Sequence, residues 1–114
     1  MANMFRGEVA FEIEGRTRVA CLTLGALAEL ETAFGVGDLV ALAERFQKGR
    51  LSAGDLVKIL GAGLRGAGET ISDAEVAALR HPQGAPGLAC VAAELVAAAF
   101  GEAAPANPPT PQSA

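Results

Sequence analysis

Near the start of the chain, hydrophobic and polar residues alternate; farther on, the period changes. In Glu8-Val9-Ala10-Phe11-Glu12-Ile13, the residues Val9, Phe11 and Ile13 share one face, which is the two-residue period of a half-buried strand. Glu14-Gly15 supplies a turn. Residues 16–22 then continue as a second strand, with Thr17, Val19 and Cys21 on one side and Arg16 and Arg18 on the other. The two arginines are placed to pair loosely across the strands with Glu12 or Glu14, and exposed pairs of this kind contribute little. A lone hairpin is marginal in water, so this one must pack against a helix or another chain.

From Thr23 onward the period is helical. Thr23 reads as an N-cap, Leu24, Leu27, Leu30 and Phe34 follow at helical spacing, and Gly35 is the stop. Asp38 caps a second helix carrying Leu39, Leu42, Ala43 and Phe46, with Gly49 as its end. Ser52 and Asp55 resemble a capping box before Leu56, Val57, Ile59, Leu60 and Leu64, a third helix expected to fade through Gly61, Gly63, Gly66 and Gly68. Ser72 and Glu75 form a second box, opening a short fourth helix to about residue 79. Pro82 and Pro86 bracket a loop. Leu88, Val91, Leu95, Val96 and Phe100 make the last helix, which Gly101 stops. The predicted fold is α+β and mostly helical: an N-terminal β-hairpin packed on four to five short helices. Residues 1–101 form a single domain. Residues 102–114, with Pro105, Pro108, Pro109 and Pro111, read as a disordered or polyproline-like tail.

Composition changes this picture in one respect. The chain has 25 alanines against 13 leucines, no Trp or Tyr and 5 Phe, so its helices form readily but each buries little area. Weak packing within one chain hints that association supplies part of the stability. A net charge of −4, with scattered basic residues and no aromatic platform, argues against nucleic acid as a partner. The apolar run at 88–100, broken only by Glu94, is shorter than the roughly 20 residues a bilayer demands. No signal-like segment opens the chain, and Cys21 and Cys90 sit in apolar stretches as small hydrophobes; the expected location is the cytoplasm.

Candidate chemistry is thin. Gly61-Ala62-Gly63-Leu64-Arg65-Gly66 matches the dinucleotide-binding G-x-G-x-x-G letter for letter. That fingerprint works when its glycines leave a strand and open a helix, so that backbone N–H groups face a pyrophosphate. Here the glycines follow a capped helical stretch, and the reading against a nucleotide site is a loosened helix end or close backbone approach. His81 is the sole histidine and precedes Pro82, with no Cys or second His nearby to make a base or a metal site; it reads as an exposed loop residue. Glu29 and Glu31 point about 200° apart on one helix and cannot form a carboxylate pair. Ser52 and Ser72 have capping roles and no His–Asp set around them. No catalytic residue, metal site or cofactor is predicted.

Surfaces suited to a partner remain. The last helix is apolar nearly all round, which places it either at the centre of the domain or against another chain, with homo-oligomerisation one possibility. The hairpin has at least one open edge.

Two stretches carry a family resemblance: Arg6-Gly7-Glu8-Val9 followed by Leu22-Thr23-Leu24-Gly25-Ala26-Leu27-Ala28-Glu29-Leu30-Glu31-Thr32-Ala33-Phe34-Gly35, and Ile59-Leu60-Gly61-Ala62-Gly63-Leu64-Arg65-Gly66. Together they resemble the small gene transfer agent proteins of alphaproteobacteria. These are similar to tail assembly chaperones of long-tailed phages and are sometimes labelled tail tube proteins. The resemblance implies a non-enzymatic protein that coats the long helical tape measure protein, keeps it soluble and brings tail tube subunits to it. The expected partners are thus the tape measure and tail tube proteins of a phage-like particle, with no nucleic acid and no membrane. A helix-in-groove contact between the first helix (Leu27, Leu30, Phe34) and the last (Leu95, Val96, Phe100) would serve this role. The same six residues are equally suited to being the core of the monomer. Two other functions stay open: a structural component retained in the particle, and a small nucleotide-binding regulator using the glycine run.

Overall fold

The computed structural model describes residues 7–48 and 50–100. Two antiparallel strands, β1 (Glu8–Ile13) and β2 (Arg16–Cys21), precede five helices: α1 (Leu24–Phe34), α2 (Leu39–Gln47), α3 (Ala53–Gly66), α4 (Asp73–Ala77) and α5 (Gly84–Phe100). This is the α+β, mostly helical architecture read from the sequence. The stops at Gly49 and Gly101 and the Pro-rich tail at 102–114 lie outside the described residues.

The hairpin follows from its turn. Glu14 and Gly15 both take positive φ, 53° and 81°, the pattern of a two-residue type I′ connection that suits the strand twist. The turn fixes the register: Ile13 faces Arg16, Phe11 faces Arg18 and Val9 faces Ala20. Residues directly opposite share a side of the sheet, so the apolar face of β1 continues into Ala20 and Arg18. Thr17, Val19 and Cys21, the more hydrophobic set by sequence, lie on the other side. Ala20 is fully buried, whereas Val19 and Cys21 are only half-buried. Nor does Arg18 pair with Glu12 or Glu14; its guanidinium donates to Glu69 at 3.2 Å.

The reason Ala20 takes the inner place is the helix beneath it. α3 contacts β2, α1, α4 and α5, and its residues Ile59, Leu60, Gly61, Ala62, Gly63 and Leu64 are all buried. A helix packed on several sides through its second half needs small residues where its neighbours come closest. A Cβ on Gly63 would lie 3.2 Å from that of Ala20 and 3.0 Å from Leu95 Cδ1, and one on Gly66 would lie 2.2 Å from the Cys21 carbonyl oxygen. These contacts explain why α3 does not fade at Gly61 but runs to Gly66. Packing on several sides outweighs the roughly 1 kcal/mol each helical glycine costs against alanine.

The helix starts are set by side chains. Thr23 accepts from the Ala26 N–H at 3.2 Å and Asp38 from that of Ala41 at 2.8 Å. Ser52 with Asp55, and Ser72 with Glu75, form reciprocal capping boxes. Each such cap is worth about 1 kcal/mol. α5 begins earlier than expected, so Pro86 lies in its first turn rather than bounding a loop. A proline there forfeits nothing, because the first N–H groups of a helix have no partner within it.

The largest fully buried side chains are Ile13, Leu30, Leu42, Ile59, Leu64 and Leu95, drawn from β1, α1, α2, α3 and α5. No polar or charged residue is buried among the described residues. Arg65, near the end of α3, ties three segments together: it donates to Glu29 of α1, to Asp73 of α4 at 3.1 Å and to the Ile71 carbonyl at 2.8 Å. Hydrogen bonding to Glu29 raises its pKa further above an already high value.

Candidate partner-binding groove

The six residues singled out for a partner divide in two. Leu27, Leu30 and Leu95 are core residues, with Leu30 and Leu95 wholly inaccessible. Phe34, Val96 and Phe100 are partly buried and pack on that core. α1 and α5 do not enclose an open groove, because α2 brings Phe46 between them. The Phe46 ring meets Phe34 edge-on at 5.6 Å and Phe100 at 6.2 Å. Arg45 covers the Phe34 ring, 5.1 Å from its centroid.

An open apolar groove exists on another side of α5. Ala89, Ala93 and Ala97 are four residues apart and form one strip of that helix, joined by Val96. With Phe46 of α2, Leu51 of the α2–α3 connection and Leu56 of α3 they line a depression of about 460 Å³. Leu56 is shared with a second depression of about 510 Å³, walled by α3, α4 and the start of α5 through Val57, Leu60, Val76, Leu79 and Leu88. Phe46 and Val96 are shared with a third of about 130 Å³ that ends at Ala43, Gln47 and Phe100. The three together trace a track along α5. Its 17 residues give a length of about 25 Å. Beyond the α2 side, Leu39 and Val40 are exposed at 39% and 68%.

The groove exists because its floor is alanine. A methyl group on the outward strip of α5 leaves the space that a leucine would have filled. The sequence carries this strip as the i, i+4, i+8 spacing of Ala89, Ala93 and Ala97.

The groove holds little that could perform chemistry. His81 and Arg80 stand at one end. His81 is half-buried rather than exposed: its Nδ1 accepts from the Gln83 N–H at 3.0 Å, and its ring lies so close to Gly87 that a Cβ there would be 2.2 Å away. Among the described residues, no group of three His, Cys, Asp or Glu could hold a metal ion, and no helix is long and apolar enough to cross a membrane. The glycine run lies inside α3, where its N–H groups serve the helix, so it is not a phosphate loop. Ser52 and Ser72 are caps. In the box at α3, burial pushes the Asp55 carboxyl up, but the Ser52 backbone N–H and the Arg45 guanidinium outweigh it and hold its pKa below the ordinary value. The Ser72 N–H does the same for the exposed Glu75.

No curated protein and no solved structure matches the chain. The sequence model of the family described as "Phage tail tube protein, GTA-gp10" matches residues 6–102, which takes in both strands and all five helices. The chain is therefore a member of this gene transfer agent family of phage-tail proteins.

Proposed function

We propose that the protein is a non-enzymatic tail assembly chaperone, which holds helical stretches of the tape measure protein in the groove along α5 and assists assembly of the tail tube around it. The observation that carries this reading is the apolar track itself. Its walls come from α2, α3, α4 and α5, its floor is alanine, and no part of the described chain covers it. An amphipathic helix seats its larger side chains in such a channel. Many copies along one long helix would convert weak single contacts into firm retention. Family membership supports a role within a phage-like particle. On this reading the protein acts in the cytoplasm, before the particle is complete.

The test is co-expression of the chain with the tape measure protein of the same particle. Co-purification and a rise in soluble tape measure protein are expected. Ala93→Trp, which fills the floor of the groove, should abolish both while leaving the chain folded.

The family description favours a second reading, a component retained in the finished tail. Mass spectrometry of purified particles separates the two. A chaperone is absent or far below stoichiometric amounts, whereas a tail component is present in many copies.

A further inference from the structure

The charged groups around the groove are unbalanced. Arg80 lines the end walled by α3 and α4. Arg45 and Arg50 line a shallow depression that joins the alanine floor at Leu51. The carboxylate found among these lining residues, Asp55, is already engaged: it accepts from the Ser52 N–H at 3.0 Å and from Arg45 at 3.2 Å. Arg45 is committed by the same bond and by its place over Phe34. Arg50 and Arg80 are exposed, and neither makes an ion pair among the described residues. Glu44 and Glu94, though exposed on α2 and α5, line none of these depressions. A chain with net charge −4 thus places one unpaired cation, Arg80, in the apolar track and a second, Arg50, in the depression that adjoins its alanine floor.

We infer that the groove selects a helix whose apolar stripe is flanked by Asp and Glu, with Arg50 and Arg80 reading the acidic flanks. This rests on the groove being a helix-binding site. The apolar strip supplies contact but little discrimination, since any greasy helix can enter it. Charge at the rim sets which helix is accepted and in which register. The negative charge elsewhere on the chain does not oppose this at close range, because exposed charges more than about 10 Å apart are largely screened at ordinary salt. Lys-flanked apolar helices would meet like charge at both arginines and be rejected.

The probes are two synthetic amphipathic peptides of about 20 residues, long enough to span the groove. They share one Ala/Leu stripe and differ only in having Glu or Lys beside it. Each carries a fluorophore and is titrated with the full chain by anisotropy. The Glu-flanked peptide should bind about tenfold more tightly at about 50 mM salt, and most of that preference should vanish at about 500 mM. The double variant Arg50→Glu/Arg80→Glu, altered only at exposed positions and checked for fold by circular dichroism, should reverse the preference. Equal binding of the two peptides, tighter binding of the Lys peptide, or a preference untouched by the double variant overturns the inference. If either of the first two holds while Ala93→Trp still removes binding, the groove remains a helix site without charge selection. Binding of neither peptide removes the helix-binding reading and this inference with it.

Discussion

Replacing the glycines of α3 with alanine one at a time separates their packing role from any other. At Gly66 the new Cβ would sit 2.2 Å from the Cys21 carbonyl oxygen, with Thr23 Oγ1 at 3.2 Å and Ala26 Cβ at 3.3 Å. The nearest atom is backbone, so the strand end and α3 must move apart. Overpacking of this kind costs about 1–3 kcal/mol, and the upper half applies because no side chain can swing aside. At Gly63 the neighbours are Leu95 Cδ1 at 3.0 Å and Ala20 Cβ at 3.2 Å, which need give only a few tenths of an ångström. Gain in helix propensity, about 1 kcal/mol, then offsets most of the loss. At Gly61 the nearest atom is Asp73 Oδ1 at 2.6 Å, followed by the Arg65 guanidinium, both ends of flexible side chains that are partly exposed. Loosening that surface pair forfeits less than about 1 kcal/mol, again offset by propensity.

The expected order of destabilisation is therefore Gly66→Ala well above Gly63→Ala, with Gly61→Ala nearly neutral. For a domain of this size about 2–3 kcal/mol lowers Tm by about 10–20 °C. With no Trp and no Tyr in the chain, far-UV circular dichroism during urea and thermal unfolding is the suitable readout. A Gly66→Ala variant as stable as the parent, or an inverted order, would show that close approach of α3 to β2 is not why these residues are glycine.

Three further outcomes follow from the packing and the caps. Phe46→Ala removes a ring that is 7% exposed and joins Phe34 to Phe100; a loss of about 3–5 kcal/mol is expected in denaturant titration, and a change under 1 kcal/mol would deny the ring cluster its role. Leu30→Asp or Leu95→Asp places an unpaired charge at a fully buried position, so both variants should fail to fold rather than merely fail to bind; a folded Leu95→Asp chain would contradict the core assignment. The carboxyl of Asp55 has a pKa held below its unfolded value. Its contribution is therefore complete above about pH 4 and is lost as pH falls through the lower folded value. Asp55→Asn should flatten that part of the acid unfolding curve, and an unchanged curve would remove Asp55 from the account.

Much of the fold was legible because its signals are local. Thr23, Asp38, Ser52 and Ser72 each name a helix start by offering an oxygen to N–H groups within three residues, and Glu14-Gly15 names the turn. What escaped depends on contacts distant in sequence. Ala20 is innermost on β2 because α3 approaches it closely at Gly63, and hydrophobicity along the strand ranks Val19 and Cys21 above it. α3 persists through three glycines because β2, α4 and α5 close around them. Of the six residues singled out for a partner, Val96 and Phe100 line depressions along α5 and Phe34 packs on Phe46, whereas Leu27, Leu30 and Leu95 follow the same helical period but turn inward. Periodicity gives a stripe without saying whether the chain itself or another molecule covers it. The spacing of Ala89, Ala93 and Ala97 gives the strip but not the groove, since a groove is defined by volume left unfilled.

The groove as the partner site is tested most directly by site-specific photocrosslinking in the co-expressed complex with the tape measure protein. A short diazirine-bearing residue is placed at Ala93, on the groove floor, or at Ala10, exposed on the outer face of the hairpin. An abundant crosslink to the tape measure protein is expected from position 93 and none from position 10. Crosslinking from position 10 alone, with a complex that forms normally, would place the partner on the hairpin and contradict the groove as its site.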